Sequence, residues 1–396
     1  MFTVEAILVL LSGWYLFQTS KGSEKLSEIV PHSRLALVLW GALGLAAAGL
    51  MLHVDRSPHG DWDGFAIWNT HARFLFRDGP NWRNDIQYSF HNDYPLFTPA
   101  ATARFWRYAG EEVPEAGALP GIILGMSGLA VLGIMLRHFR DSLTSTILVL
   151  SLLATPFYLE HTTSQYADVP LSFFVLSTIA LICVYDEFND WRILALAGFT
   201  TGCAGWTKNE GLLFIVVACV AILVSSLRLR RKTLQLLVPF CLGLVLPLIA
   251  ILIFKSTILG RNEVIELQNN TMGKILDWNR YVVIARNYGT VFANFGGWTI
   301  SPLIPLLLFI FSRGIDRKVF RNFGWTTGVL IVAILLAGYF FVYVVTPHDL
   351  NYHLGSSLDR LYLHVWPSLL LLTGLLRSDL RERTSIHLQE GVNESA

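Results

Sequence analysis

Charge is what this sequence has least of. Only 15% of its 396 residues are charged, against about 25% in an ordinary soluble domain. Thirty Lys and Arg nearly cancel 29 Asp and Glu, leaving +1, so no field of one sign points to nucleic acid as a partner. Cysteine is scarce too. Cys183, Cys203, Cys219 and Cys241 each lie inside an apolar run without a CxxC spacing. That pattern excludes a disulfide framework and reads as core cysteine. A secretory leader is not expected, because Glu5 stands where a basic segment should be and no small-x-small site follows. Nor is there an internal repeat, so an inverted-repeat transporter has no direct support.

What the chain has in abundance is apolar residues, 53% of the total, with a mean hydropathy of +0.49. They collect in runs long enough to cross a hydrocarbon core of roughly 30 Å. The runs predict an all-α integral membrane protein, one polytopic transmembrane domain over 1–396 with about eleven spans. These fall near 3–19, 34–54, 119–136, 144–160, 168–185, 191–206, 211–227, 234–254, 297–312, 326–346 and 361–376. Basic residues concentrate in one set of short loops: Lys21, Lys25 and Arg34; Arg137 and Arg140; Arg192; Arg228, Arg230, Arg231 and Lys232; Arg313, Arg317, Lys318 and Arg321; Arg377, Arg381 and Arg383. That bias makes this set cytoplasmic. The N-terminus is then outside and the 377–396 tail inside.

Two long segments lie on the opposite, outer side. The first, 55–118, carries Phe65, Trp68, Ala72 and Leu75 at helical spacing, the pattern of an amphipathic helix lying in the membrane interface. The stretch 97–108, with Phe97, Phe105, Trp106 and Tyr108, predicts a second such helix. The other segment, 255–296, is more polar and contains Asn269, Asn270, Arg280 and Arg286.

Five polar stretches punctuate the outer side. In HGDWDGFAIWNTHARF (59–74), Asp61 and Asp63 stand where an interfacial helix begins. A pair of N-caps is the plain reading; a carboxylate made stable as an anion by the helix dipole is the functional one. In HNDYPLFTP (91–99), Asp93 and Tyr94 precede Pro95, which reads as an extended turn. EHTTSQYADVPLSFF (160–174) places Tyr166 and Asp168 in a very short loop, with Asp168 able to cap the next span and Pro170 in its first turn. GWTKNEGLLF (205–214) puts Lys208, Asn209 and Glu210 in a tight hairpin. A solvated turn explains it, yet charge against apolar helix ends is costly without partners. In HDLNYHLGSSLDRLYLHVWP (348–367), Asp359 and Arg360 run into the apolar stretch starting at Leu361. Snorkelling explains a lone Arg there; so does a fork for phosphate oxygens. His348 and His353 are five apart, a poor spacing for one helical face, so no metal site is assigned.

These stretches, in this order, resemble the GT-C membrane glycosyltransferases, and in particular bacterial relatives of the protein O-mannosyltransferases and of the lipid A aminoarabinose transferase. The resemblance runs from about residue 55 to 370 and rests on WDGFAIWNTHARFLF, DYPLFTP, QYADVPL, TKNEGL and SSLDRLYLHVWP. It implies a GT-C fold and a sugar donor carried on polyprenyl phosphate, with a glycan, lipid or protein as acceptor. It also implies the bacterial cytoplasmic (inner) membrane, with the site on its periplasmic face. By the resemblance the acidic base of the first outer loop is Asp63, within Trp62-Asp63-Gly64-Phe65, with Asp61 as competitor. The chain departs from the better-known pattern, an adjacent Asp-Glu pair, by having Asp-Trp-Asp. Asp93, Tyr94, Tyr166, Asp168, Lys208, Glu210 and Arg360 are the expected substrate-binding residues. Trp68, Tyr94 and Tyr166 suit stacking on a sugar, although interfacial anchoring is the commoner role. No cofactor is assigned, and a divalent metal lacks a supporting ligand set. Two other classes fit parts of the pattern. A transporter or lipid flippase would carry functional charge deep within its spans. A lipid-linked polysaccharide polymerase or ligase would rely on paired arginines, for which Arg280 and Arg286 are available.

Overall fold

The computed structural model describes residues 34–258 and 271–376. The expected span 3–19, Lys21, Lys25, Asn269, Asn270 and the 377–396 tail lie outside them. The chain divides into two units, Met1–Gly44 and Leu45–Ala396. Of the first, residues 35–44 continue the helix that begins at Arg34; the description below concerns the second.

The architecture is all-α. After α1 (Arg34–Arg56) a π-helical turn, Gly64–Trp68, leads into α2 (Asn69–Arg77). The amphipathic helix expected over 63–77 is therefore interrupted, at a place where π-turns often mark function. Of its apolar face, Trp68 and Ala72 are buried while Phe65 stays exposed. Ala72 packs with Ala103 and Trp106 of α3 (Phe97–Ala109), and Trp106 donates to the Val113 carbonyl at 2.7 Å. Arg77 and Arg73 converge on Glu112, the former through its Nη2 at 2.6 Å. Helices α2 and α3 thus form one small, cross-braced layer.

The membrane body follows as α4 (Leu119–Phe139), α5 (Ser142–Leu153), α6 (Pro156–Thr163), α7 (Asp168–Phe188), α8 (Trp191–Thr207), α9 (Asn209–Arg228) and α10 (Thr233–Thr257). It continues with α11 (Trp278–Asn294), α12 (Leu303–Arg313), α13 (Phe323–Val345) and α14 (Leu350–Leu375). Among the described residues six helices are long and apolar enough to span, or seven if the bent pair α5 and α6 counts as one. This count of the described residues does not confirm the expected eleven, the first of which lies outside them. The run 144–160 breaks by 63° because Pro156 opens α6; Thr155 before it is extended, as the residue before proline tends to be. The 297–312 run yields only the 11-residue α12. The last helix starts earlier than expected, at Leu350, with Asp349 accepting from the Tyr352 N–H at 2.9 Å. Asp359 and Arg360 therefore sit inside α14 rather than in front of it. Part of the polar segment 255–296 is helix α11, and there Arg280 donates to the Tyr343 and Val344 carbonyls, both at 3.1 Å.

Helix α7 is the centre of the body. It packs against α4, α8, α13 and α14, and most of its residues are buried. α8 and α10 cross so closely that a Cβ at Gly198 would strike the Phe240 backbone and one at Gly243 the Ala195 backbone, the use of small residues expected where membrane helices meet. All four cysteines are free. Cys183 is buried, but Cys203 and Cys219 are half-buried and Cys241 is exposed, so the core reading holds fully for Cys183 only.

Candidate active site

The site begins with a close approach of backbone to backbone. Gly60, at φ +71°, turns the chain onto the 164–166 turn, and neither Gly60 nor Gly64 leaves room for a Cβ beside the Ser164 carbonyl. The Asp61 N–H donates to that carbonyl at 3.1 Å. Gln165 ties the layer together: its amide donates to the Pro58 and Pro114 carbonyls, and its Oε1 accepts from Asn69 at 2.5 Å. The next residue, Tyr166, accepts from the Asp63 N–H at 3.1 Å. Burial pushes the Tyr166 hydroxyl up to about 12, so it is protonated at neutral pH. The QYAD stretch therefore sets where Asp63 stands.

Asp63 caps nothing with its side chain. Its Oδ2 instead accepts from Arg360 Nη1 at 2.5 Å, across 297 positions of sequence. The N-cap reading gives way to an ion pair between the first loop and the last helix. The guanidinium also lies over the Tyr166 ring, 5.1 Å from its centroid, a cation–π arrangement, and its Nε is 3.3 Å from Asp168 Oδ2. Asp61 stays outside this cluster; its backbone is anchored, and among the described residues its carboxylate joins no ion pair.

Asp168 opens α7 but is not its cap, which is Ala167. Its carboxylate is wholly buried, and Oδ1 takes Lys208 Nζ at 2.8 Å and His364 Nε2 at 2.7 Å. Lys208 is the one extended residue between α8 and α9 and also meets Glu210 at 2.8 Å. Burial works against its ammonium, but Asp168 and Glu210 outweigh that and raise its pKa. The hairpin is thus a buried charge cluster, not a solvated turn.

Asp93 forms a neighbouring group. Its Oδ2 accepts from Asn209 at 2.8 Å and lies 3.5 Å from Lys255 Nζ. Lys255 also donates to the Asp93 carbonyl and to Asn209 Oδ1. Tyr94 stacks between His91 and Trp68, with centroids 4.6 and 5.4 Å away. Trp68 is buried at 2% exposure, so it is not free to stack on a sugar. His353 is held by Thr346 at 2.8 Å, and among the described residues no three His, Cys, Asp or Glu gather as metal ligands.

The structure therefore brings Asp63, Tyr166, Asp168, Lys208, Glu210 and Arg360 into one cluster, with Asp93 and Tyr94 beside it. Sequence reasoning missed His364 and Lys255, each a single polar residue inside or at the end of an apolar run. The signal that was available is their depth: His364 is buried in an apolar helix, where an ionisable residue needs a partner.

Comparisons with known proteins follow the same lines. Residues 93–254 match the family described as dolichyl-phosphate-mannose-protein mannosyltransferase. No curated protein sequence matches the chain. The crystal structure of ArnT from Cupriavidus metallidurans bound to undecaprenyl phosphate is similar with a TM-score of 0.50 at 18% identity, over 85% of this chain and 60% of ArnT. The apo-state structure of the same protein gives 0.47 and 18%, over 87% and 61%. This chain spans about three fifths of the length of ArnT. With the family match across its middle and this fold across most of its length, the chain is a membrane protein of the GT-C fold class.

Proposed function

We propose that the protein is a glycosyltransferase. It moves a sugar from a polyprenyl-phosphate donor to an acceptor hydroxyl of a glycan, lipid or protein, on the outer face of the bacterial inner membrane, with inversion. The observation that carries this reading is the Arg360 guanidinium. It is shared between Asp63 of the first loop and Asp168 of the membrane body, so a fork suited to phosphate stands beside a half-exposed carboxylate. The family match and the undecaprenyl phosphate found on ArnT support a lipid-phosphate donor.

The chemistry follows from those groups. The acceptor oxygen attacks the anomeric carbon and gives its proton to Asp63, which acts as general base. The bond from that carbon to the phosphate oxygen breaks, and its electron pair leaves with the polyprenyl phosphate. Arg360 stabilises the charge gained by the leaving phosphate. Lys208, buried and paired with Asp168 and Glu210, serves to fix Asp168 rather than to meet substrate. The rival polymerase reading loses one of its two arginines, because Arg280 is engaged by backbone carbonyls.

The test is to supply the purified protein with a panel of polyprenyl-phosphate sugars and an acceptor extract, and to follow release of free lipid phosphate. Release with at least one sugar, abolished by Asp63→Asn, is the expected result. Transport of intact lipid-linked sugar across vesicles, with no release, would replace this reading by the flippase.

A further inference from the structure

We infer that His364, with Tyr339 behind it, is a positioning residue that sets the orientation of the Arg360 guanidinium through Asp168. The inference rests on the proposed function, in which that guanidinium meets a lipid phosphate. His364 lies in α14 and is completely buried. Both ring nitrogens are engaged, as a buried imidazole requires, and it is the identity of the partners that bears on the site. Nε2 is 2.7 Å from Asp168 Oδ1, and Nδ1 is 3.1 Å from the Tyr339 hydroxyl of α13. An ionised carboxylate can only accept, so Nε2 carries the hydrogen, and in the neutral ring Nδ1 then accepts from the Tyr339 O–H. Tyr339 thus selects the tautomer that lets His364 donate.

The consequence falls on Asp168. Oδ1 already holds Lys208, and a second donor at the same oxygen fixes the plane of the carboxylate. The other oxygen, Oδ2, faces Arg360 Nε at 3.3 Å, without either atom closing a hydrogen bond. Where Oδ2 stands therefore decides how the guanidinium is turned. At its other end the same group holds Asp63 through Nη1. Three helices and the first loop meet in this path: Tyr339 on α13, His364 and Arg360 on α14, Asp168 on α7, and Asp63 on the loop. An arginine fork depends on such orientation, whereas a lysine at the same place is a point charge and does not.

That difference supplies the experiment. Undecaprenyl phosphate binding to the purified full chain is measured for His364→Leu and His364→Gln, each alone and combined with Arg360→Lys. Thermal unfolding is followed in parallel. Gln keeps an amide donor that reaches Asp168. In the Arg360 protein, His364→Leu should weaken binding by about tenfold, while in the Arg360→Lys protein it should change binding by less than about twofold, a non-additive pair. His364→Gln should recover most of the loss. Equal weakening in both backgrounds, or equal loss with Gln and Leu, would make His364 a packing residue and overturn the inference. Should His364→Leu not fold, Tyr339→Phe removes a single oxygen and carries the same comparison with a smaller effect of the same sign. Failure of the unsubstituted protein to bind undecaprenyl phosphate would instead overturn the proposed function, and this inference with it.

Discussion

Replacing Asp63 by Asn keeps the shape of the side chain and removes one charge from its pair with Arg360. At an effective dielectric constant of about 20, two unit charges about 4 Å apart attract by about 4 kcal/mol. The net loss is smaller, for two reasons. Asp63 and Arg360 are 20% and 18% exposed, so water already screens the pair. Arg360 also keeps Asp168 as a counter-charge, so nothing is left bare. A hydrogen bond to a charged group contributes about 1.5–3 kcal/mol net, and the stability loss should fall within that range. Binding of undecaprenyl phosphate should hold or tighten, because a carboxylate that competes for the guanidinium is gone. Turnover should fall by about 10²–10⁴, the usual contribution of a general base.

Three measurements on one variant separate the roles: release of lipid phosphate, lipid-phosphate binding and the midpoint of thermal unfolding. Full turnover with weakened binding would refute the reasoning, since Asp63 would then be only an anchor for Arg360. Asp61→Asn should be mild, as its carboxylate lies outside the cluster. A dead Asp61→Asn beside an active Asp63→Asn would move the base by two residues. Normal transfer by both would leave Asp168 as the next candidate.

Other perturbations probe the frame around this pair. Arg360→Lys should weaken lipid-phosphate binding and Arg360→Ala more so; an alanine variant with wild-type turnover at limiting donor would reduce Arg360 to a membrane anchor. Lys208→Ala takes the ammonium away from buried Asp168 and from Glu210 and should cost up to about 3–5 kcal/mol; a thermal midpoint unchanged from wild type would contradict that. For topology, cysteines at Asn81 and Arg230 should be labelled by an impermeant reagent at the first site only in intact cells, and labelling at the second would reverse the orientation. The first loop should also loosen in acid. Burial lowers the His71 pKa to about 4 from 6.5, so its neutral form is fully stabilising above 6.5 and the contribution is lost as pH falls from there towards 4. Roughly 3 kcal/mol is at stake over that window. Hydrogen exchange across 63–96 should rise accordingly, and His71→Gln should flatten the response; an identical slope in the variant would assign it elsewhere.

Much of this site was legible in the sequence because a charge at the end of an apolar helix has few explanations. Asp168, Lys208, Glu210 and Arg360 stood out in that way, Asp63 through the resemblance, and the five side chains meet. Their pairing was not legible. Asp168 and His364 are 196 positions apart, and which of two cations meets which carboxylate depends on how α7, α9 and α14 are packed. Lone polar residues inside apolar runs were the blind spot: His364 and Lys255 each resemble a tolerated exception until a partner is seen. Hydropathy also reads length without seeing direction. It carried one span through Pro156, where the helix turns by 63°, and it began α14 only at Leu361 although a capped helix starts at Leu350. The interfacial helices were placed by period, but period cannot tell lipid from a neighbouring helix as the covering surface.

The cluster has a buried half and an open half, and this division assigns the roles. Asp168 and Lys208 are closed to solvent, at 0% and 2% side-chain exposure. Asp63, Arg360 and Glu210 are open at 20%, 18% and 25%. Buried ion pairs are poor sources of net stability, since desolvation offsets their attraction, so Asp168 and Lys208 are not explained by the fold's own needs. A reacting group must exchange partners during a turnover, and only the open members can do that without opening the core. On the proposed function, the buried pair instead holds a fixed charge from which the open arginine takes its direction. It follows that substitutions should sort by exposure. Isosteric changes at Asp63 should appear in turnover with a small shift of the unfolding midpoint. Asp168→Asn should lower both, because it removes one of the two counter-charges of Lys208 along with the guide for Arg360. If Asp168→Asn leaves the midpoint unchanged but abolishes turnover, the buried carboxylate itself takes part in the chemistry, and the assignment of roles by exposure is wrong.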